Sequence, residues 1–330
     1  MLTLSHRGLY SPAGNFHIDP SGAVENAVIT HAHADHARRG SKVYYCTHSG
    51  VELLKARIGK NILVKSFAFR EPFYLNGVQL SFHPAGHILG SSQVRIETGG
   101  QVWVASGDYK REPDPTCEPF EVVKCDVFVT EATFGTPGYS WPKNKNLGQD
   151  IFNWWTANER RGVNSVLFAY SLGKAQRVLG VLAALAHKPI YCHQAATPLN
   201  ECYKAQGIKL AQTICLSEVS ETTRLKGELI LAPQAFLKSE QSQILGPRYE
   251  TAFASGWMAQ NSYGYNKGFV MSDHADWNDL VTTIRETGAK TVYVQHRGQG
   301  ALVKHLRTLG LKAYPDLELK SQVPEQMALF

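Results

Sequence analysis

The chain has 330 residues, 43% of them hydrophobic, so it can bury a sizeable core, and a soluble globular protein of two domains or one large domain is expected. No window approaches the roughly 18 consecutive apolar residues that span a bilayer, and the N-terminus has no basic stretch followed by an apolar run. These observations argue against a transmembrane protein and predict a cytoplasmic one. The net charge of +6 permits a polyanionic partner without indicating one.

In the first part of the chain, short apolar runs alternate with Gly, Asn and Asp turns, a pattern that predicts β-strands. The predicted strands cover residues 27–29, 78–82, 102–105 and 127–129. Several of them end at a residue that can bind a metal or move a proton, and loops at strand ends are where active sites usually collect.

From about residue 143 the pattern changes to alternating helices and strands. A helix is predicted from about 147 and another over 172–187, where a 3.6-residue apolar rhythm stops before Pro189. Further strands are predicted at 165–169, 190–192, 229–231 and 252–254. We therefore predict a nested domain over 143–257 inside a split catalytic domain, whose two parts cover 1–142 and 258–330 and which ends in a loose tail at 321–330.

The strongest functional signal is the run Thr30-His31-Ala32-His33-Ala34-Asp35-His36, which follows the first predicted strand. In an extended segment His31 and His33 point to the same side and can bind one ion together. Asp35 and His36 lie on the following turn, where they can reach a second ion. The alternative is a polar surface loop, which the small alanines between the imidazoles disfavour.

Two further candidate ligands follow later predicted strands, namely His87 in Ala85-Gly86-His87 and Asp108 in Ser106-Gly107-Asp108. Each is weak alone, because a histidine or aspartate beside glycine is commonly a turn or surface residue. Taken in order, the His-x-His-x-Asp-His run, the Gly-His and the Gly-Asp resemble the ligand sequence of the metallo-β-lactamase superfamily. Asp19 fits the early strand-end aspartate of that superfamily, which implies that it supports the ligands without binding the metal directly.

Four later segments resemble motifs of the β-CASP nucleases, the group that includes Artemis-type nucleases, RNase J and the nuclease of the cleavage and polyadenylation machinery. Glu131 stands in an acidic Thr-Glu-Ala-Thr motif, His274 in Ser-Asp-His-Ala-Asp-Trp, and His296 in a histidine motif after a predicted strand. The segment 171–177 resembles the helix start of the β-CASP insert. The resemblance implies an α/β fold, in which a metallo-β-lactamase αββα sandwich carries an inserted β-CASP-like α/β domain.

Within this group the chain resembles the bacterial ligase-associated DNA exonucleases. The third motif reads His296-Arg297-Gly298, where the RNA-processing members usually have His-Gly-Glu, and this difference favours DNA over RNA. The implied function is a metal-dependent DNA exonuclease in DNA repair, which works with an ATP-dependent DNA ligase and a helicase.

The resemblance also implies a set of roles. One ion is held by His31, His33, His87 and Asp108, and a second by Asp35, His36, Asp108 and His296. The mixed His/Asp ligands suit zinc and also admit manganese, iron or nickel. The predicted catalytic residues are Asp35, Glu131 and His274, where His274 protonates the leaving oxygen and Glu131 orients it.

Two kinds of partner contact are predicted. Phosphates of the nucleic acid are expected to meet the cations of Lys174, Arg177 and Arg297. The C-terminal run Gln326-Met327-Ala328-Leu329-Phe330 resembles the short peptide by which bacterial replication and repair proteins bind the sliding clamp, although a tail packed on its own domain or frayed is the alternative.

Three other functions remain open from the sequence. The first is an RNA nuclease of the same architecture, and the second is a small-molecule hydrolase of thioesters or lactones, which would not require the acidic motif, His274 or the insert. The third is a nucleic-acid-binding module without catalysis, which the complete ligand set disfavours. The sequence leaves the polarity of digestion, exonuclease or endonuclease action and the number of metal ions undecided.

Overall fold

The computed structural model describes residues 1–141, 143, 146–220, 222–261, 264–296 and 298–319. Within these residues the chain is a mixed α/β protein with three β-sheets. The strands and helices that were predicted from the apolar patterns are present. The largest difference is in the helix predicted over 172–187, which covers only Lys174–Leu182. None of the helices in these ranges combines the length and the apolar character needed to cross a membrane.

The first sheet has six strands in chain order, antiparallel at its N-terminal edge and parallel from β3 onward. Its strands are β1 Thr3–Ser5, β2 Gly8–Ser11, β3 Phe16–Ile18, β4 Asn26–Val28, β5 Val43–Thr47 and β6 Val64–Phe67. The helix α1, Val51–Ile58, follows β5. Its Leu54 and Ile58 pack with Tyr44 and Ala27 in one buried cluster, so α1 covers one face of this sheet.

The second sheet has seven strands in the order β19-β18-β11-β10-β9-β8-β7. They are β7 Phe73–Leu75, β8 Val78–Pro84, β9 Ser92–Thr98, β10 Gln101–Ala105, β11 Val127–Thr130, β18 Thr291–Val294 and β19 Lys312–Pro315. The strand order brings residues near 130 beside residues near 294, across the whole intervening segment.

The first two sheets share one hydrophobic core. Val28 and Tyr45 of the first sheet pack with Phe82, Val94 and Ile96 of the second, and all five are buried. The opposite face of the second sheet is covered by two helices, α5 Trp277–Thr287 and α6 Gln299–Thr308. Burial of both faces accounts for the nearly continuous apolar runs in the central strands.

The third sheet has six parallel strands in the order β14-β13-β15-β12-β16-β17. Its strands are β12 Asn164–Phe168, β13 Ile190–Cys192, β14 Thr213–Cys215, β15 Leu229–Ala232, β16 Tyr249–Ala254 and β17 Lys267–Phe269. The accompanying helices are α2 Leu147–Arg160, α3 Lys174–Leu182 and α4 Thr197–Ala205. Because β17 belongs to this sheet, the third-sheet unit extends past residue 257, where the nested domain was predicted to end.

The third-sheet unit packs directly on the loops that carry the candidate ligands. Leu172 and Tyr203 lie in one buried cluster with Ala32 and Ile88. Gly173, with φ of +85°, lies at the start of α3, and a Cβ there would approach Ile88 Cγ2 to 2.5 Å. Only glycine combines this left-handed backbone with so close an approach, so Gly173 allows the two units to meet beside the site.

Candidate functional site

The predicted site residues lie together because the strands that precede them run in the same direction. Strands β10, β11 and β18 are parallel neighbours, and β8 has the same direction since it is related to β10 through two antiparallel pairings. The C-terminal ends of these strands therefore share one edge of the second sheet. His87, Asp108, Glu131 and His296 each follow one of them, as the sequence analysis expected.

Three imidazoles and one carboxylate converge at this edge. His33 Nδ1 lies 3.1 Å from His31 Nε2 and 3.0 Å from His87 Nε2. Asp108 Oδ2 lies 3.5 Å from His31 Nε2 and 3.8 Å from His87 Nε2. A tetrahedral zinc ion with ligands at 2.0–2.1 Å places its ligand atoms roughly 3.3 Å apart. The four donor atoms therefore have the spacing of a tetrahedral metal site.

The chemistry of these donors also fits a divalent transition metal. Burial, together with the neighbouring imidazoles, holds the pKa of His31 and His87 well below the ordinary histidine value, which favours the neutral form that binds metals. Asp108 Oδ1 is buried and has no hydrogen-bond partner among the described residues. A buried carboxylate oxygen without a partner is costly, and a bound ion would satisfy it.

The remaining ring nitrogens are held by the protein. His87 Nδ1 donates to the carbonyl oxygen of Asp273 at 2.6 Å, and His33 Nε2 donates to the carbonyl oxygen of Leu172 at 3.2 Å. Such bonds fix the tautomer and the ring orientation of a metal ligand. Because Leu172 belongs to the third-sheet unit, this unit orients the His33 ring.

Asp19, predicted to support the ligands, faces Thr30 and His36. Its Oδ1 accepts from the backbone N–H of Thr30 at 2.8 Å, and its Oδ2 accepts from the Thr30 hydroxyl at 2.5 Å and from His36 Nδ1 at 2.8 Å. The Thr30 hydroxyl lies 3.0 Å from His31 Nδ1. One carboxylate thus connects to two of the candidate ligands.

The predicted second metal cluster is more open. His36 Nε2 lies 3.4 Å from Asp108 Oδ2 and 3.8 Å from Asp35 Oδ2, and His296 Nε2 lies 3.8 Å from Asp108 Oδ1. The side chains of Asp35 and His296 are 72% and 39% exposed. Burial lowers the pKa of His36, but Asp108 and Asp19 raise it well above its ordinary value.

Glu131 and His274 form a pair beside the metal cluster. His274 Nδ1 lies 3.1 and 2.9 Å from the two carboxylate oxygens of Glu131. The backbone N–H of Tyr109 donates to the same carboxylate at 2.8 Å. Burial lowers the pKa of His274, but Glu131 and Asp108 raise it to about 9. The imidazole is therefore fixed in orientation and carries a proton at neutral pH.

One cavity of about 630 Å³ lies between the third-sheet unit and the ligand loops. Its lining includes His33, Asp35, Arg57, Asp108, Thr133, Tyr170, Leu172, Lys174, Trp257, Asp273, His274 and His296. The cavity is large enough for part of a polymeric substrate and not only for an ion with its water.

Two of the three predicted phosphate-binding cations are engaged within the protein. Lys174 is 5% exposed and its ammonium pairs with Asp273. Arg177 is also buried, and it donates to the carbonyl oxygen of Ser272 and to Glu112 Oε2. Neither is a free cation on the surface, and both join α3 to neighbouring loops. Their contact with phosphate stays a prediction. Arg297 lies outside the described residues.

Two features of the site were not found from the sequence. The carbonyl oxygen of Asp273 accepts a hydrogen bond from His87, and its carboxylate pairs with Lys174. Its position next to His274 in the sequence could have indicated a role in the site. Arg57 of α1 lines the cavity, but no motif marks it.

The proposed clamp peptide, Gln326-Met327-Ala328-Leu329-Phe330, lies outside the described residues.

Comparison with known proteins gives several relatives, although no family model matches the chain. It is 26% identical to a probable DNA ligase of Opitutus terrae, over 97% of this chain and 32% of the ligase. It is 24% identical to an RNase J-like protein of Methanocaldococcus jannaschii, over 48% of this chain and 44% of that protein. It is 32% identical to the endoribonuclease ysh1 of Emericella nidulans, over 36% of this chain and 14% of that protein. The chain thus spans less than half the length of each of these curated relatives.

One solved structure supports the fold. A crystal structure of a protein of unknown function from Enterococcus faecalis matches with a TM-score of 0.56 at 12% sequence identity. The match covers 83% of this chain and 76% of that chain. At this identity the likeness concerns the fold alone.

Proposed function

We propose that this chain, a homologue of the β-CASP nucleases of the metallo-β-lactamase superfamily, is a metal-dependent enzyme that hydrolyses phosphodiester bonds of DNA. The relatives confirm the family resemblance that the motifs predicted. The observation that carries the proposal is that His33 and Asp108 of the four-donor cluster line the same cavity as His274, whose ring is held by Glu131. A small-molecule hydrolase of this fold would need the metal donors but not that pair.

The proposed metal is zinc, held by His31, His33, His87 and Asp108, with manganese as the main alternative. A second ion would be held by Asp35, His36, Asp108 and His296. A bound ion of this kind lowers the pKa of water and supplies a hydroxide nucleophile near neutral pH. The chain itself contributes the orientation of the ligands, through the hydrogen bonds of Asp19, Asp273 and Leu172 described above.

His274 is the proposed proton donor to the leaving oxygen. It lines the cavity, and Glu131 holds its Nδ1 so that Nε2 remains as the second ring nitrogen. The carboxylate of Glu131 stabilises the protonated imidazole before transfer and keeps its ring fixed, which is the contribution expected of a positioned acid partner.

We assign the first two sheets and their covering helices to the αββα sandwich. The packing of α1 on the first sheet and of α5 and α6 on the second supports this assignment. We assign the third-sheet unit to the inserted β-CASP-like domain. The proposed insert begins near residue 143 and extends to Phe269, because β17 pairs with β16 in register.

The proposed substrate is DNA. Nearly the whole chain aligns with part of a protein named as a probable DNA ligase, so a relative of this chain occurs within a ligase polypeptide. This supports DNA end processing in a pathway that includes an ATP-dependent ligase. Partnership with a helicase and with a sliding clamp stays a prediction from the sequence.

RNA is the second candidate substrate, because the other two relatives are named as an RNase J-like protein and an endoribonuclease. The test is a competition between end-labelled single-stranded DNA and RNA of identical sequence, with metal-loaded protein. Preferential shortening of DNA supports the proposal. Preferential shortening of RNA would assign the chain to RNA processing.

A further inference from the structure

Arg57 differs from Lys174, the other lysine or arginine among the described residues that line the cavity. The ammonium of Lys174 is paired with Asp273. Arg57 is half-buried, its Nε donates to the carbonyl oxygen of Ala32 at 3.3 Å, and it forms no ion pair within the described part of the chain. A guanidinium has five N–H donors, so the hydrogen bond to Ala32 leaves its two terminal nitrogens available to a ligand.

Tyr170 lines the same cavity from the third-sheet unit. It follows β12, and its side chain is 54% exposed although it is a large aromatic residue. The ammonium of Lys174 lies 4.7 Å from the centroid of its ring. The ring of Tyr170 thus makes a cation–π contact with Lys174. More than half of the residue is exposed and can contact a ligand.

We propose that Arg57 binds a phosphate of the substrate strand that flanks the scissile one, and that Tyr170 stacks on a base of the same strand. The inference rests on the proposed function, since it names how the nuclease cavity holds its polymer. Guanidinium groups bind phosphates through charge-assisted hydrogen bonds, and bases stack on exposed aromatic rings.

The two contacts come from different units of the protein. Arg57 belongs to α1 beside the metal-ligand loop, and Tyr170 belongs to the third-sheet unit. A strand that touches both lies between the units, in the cavity that His33 and Asp108 also line. Neither contact involves the edge of a base, so binding through these two residues does not depend on the nucleotide sequence.

The test measures binding of a fluorescein-labelled single-stranded oligodeoxynucleotide by anisotropy, in a His274→Ala background that leaves the proposed metal ligands intact. Arg57→Gln is expected to weaken binding by about tenfold and to reduce the slope of log K against log salt by about 0.7, the value for one phosphate contact on a single strand. Tyr170→Ala is expected to weaken binding by about tenfold with the salt slope unchanged, and Tyr170→Phe to retain it.

Arg285→Gln is the matched control, because Arg285 is exposed on α5 and does not line the cavity. Arg285→Gln should lower the affinity and the salt slope much less than Arg57→Gln does. An Arg57→Gln protein with the affinity and salt slope of its parent would overturn the assignment of Arg57. A Tyr170→Ala protein with undiminished affinity would overturn that of Tyr170.

A structural role for Arg57 must be separated from a binding role, because Ala32 lies between two candidate ligands. Metal content is measured for Arg57→Gln and Arg57→Lys. It is expected to equal that of the parent protein with an intact His274. Loss of metal in these variants would show that Arg57 acts through the ligand loop and would contradict the proposal.

If the parent protein hydrolyses no diester at all, the proposed nuclease function fails. The anisotropy result still decides whether Arg57 and Tyr170 bind a DNA strand.

Discussion

Glu131 and His274 are 143 positions apart in the chain, yet both carboxylate oxygens of Glu131 lie within 3.1 Å of His274 Nδ1. Glu131 is buried and is held by the backbone N–H of Tyr109. The carboxylate therefore cannot turn away from the imidazole, and the pair is a fixed unit at the edge of the cavity. This relationship leads to two predictions about the proton-transfer step.

Removal of the imidazole is expected to slow hydrolysis of natural diesters. For His274→Ala we predict a loss in kcat on DNA of about 10²–10⁴-fold, the range for loss of a general acid. On bis(p-nitrophenyl) phosphate, whose leaving group needs no proton, the loss should be much smaller. Equal losses on both substrates, with metal content unchanged, would assign His274 a role other than proton donation.

Glu131 acts through His274, so its conservative variant should show a weaker effect of the same kind. Glu131→Gln keeps the size of the side chain but removes the charge that raises the pKa of His274. We predict a lower kcat on DNA than in the wild-type protein and little change on the aryl diester. The pH profiles of kcat for the two proteins provide the measurement. A Glu131→Gln profile superimposable on that of the wild-type protein rules out this role.

The four-donor cluster predicts stoichiometric metal binding. His33→Ala and His87→Ala should each lose bound zinc, because each removes one of the four donors whose spacing fits a tetrahedral ion. The measurement is metal content by mass spectrometry after dialysis against a weak chelator. His48→Ala is the control, because His48 is exposed and contacts Ser66 rather than the cluster. Full metal retention in both cluster variants is inconsistent with the site.

Asp19 tests the importance of ligand orientation. Asp19→Asn weakens the hydrogen bonds to Thr30 and to His36 without removing a donor of the four-ligand cluster. We predict a decrease in metal affinity of about 10–100-fold, the usual cost of losing a partner behind a ligand. A competition titration with a fluorescent chelator measures it, and an unchanged dissociation constant contradicts the prediction.

A buried ion network joins α3 to the loop after β10. Asp114 accepts from Lys110 Nζ at 2.7 Å and lies 3.4 Å from Arg177 Nε. Asp114→Asn removes the carboxylate that pairs with Lys110 and one of the two that lie near Arg177, so it should lower the free energy of unfolding by about 3–5 kcal/mol. Denaturant unfolding measures the change. Glu25→Gln, at an exposed pair with Lys42, should change the free energy of unfolding little, because exposed ion pairs contribute little to stability. An equally small change for Asp114→Asn would refute the importance of the buried network.

The sequence predicted those parts of the site whose residues are close in the chain or directly follow a predicted strand. The ligands between His31 and His36 are close in the chain, and the later ligands each follow an apolar strand. Parallel strands bring their C-terminal ends to one edge, so strand prediction and residue type were sufficient to group these side chains. The pairing of Glu131 with His274 required the family resemblance, because no local pattern connects them.

The sequence did not indicate that two of the predicted phosphate contacts are paired with carboxylates inside the protein. Lys174 and Arg177 have the charge and position expected at the start of α3, but Asp273 and Asp114 neutralise them from other parts of the chain. Burial of a long cation depends on such tertiary pairs and leaves no trace in a single sequence. For the same reason Arg57, which has no counter-ion in the described residues, could be identified only from the packed structure.

The central claim is that the four-donor cluster supports phosphodiester hydrolysis. The most direct measurement incubates metal-replete protein with end-labelled single- and double-stranded DNA and matched RNA, beside His33→Ala at the same concentration, and resolves the products by length. We expect shortened DNA with the wild-type protein and none with the variant. Intact strands in every reaction, with metal shown to be bound, would contradict it and favour hydrolysis of small esters instead.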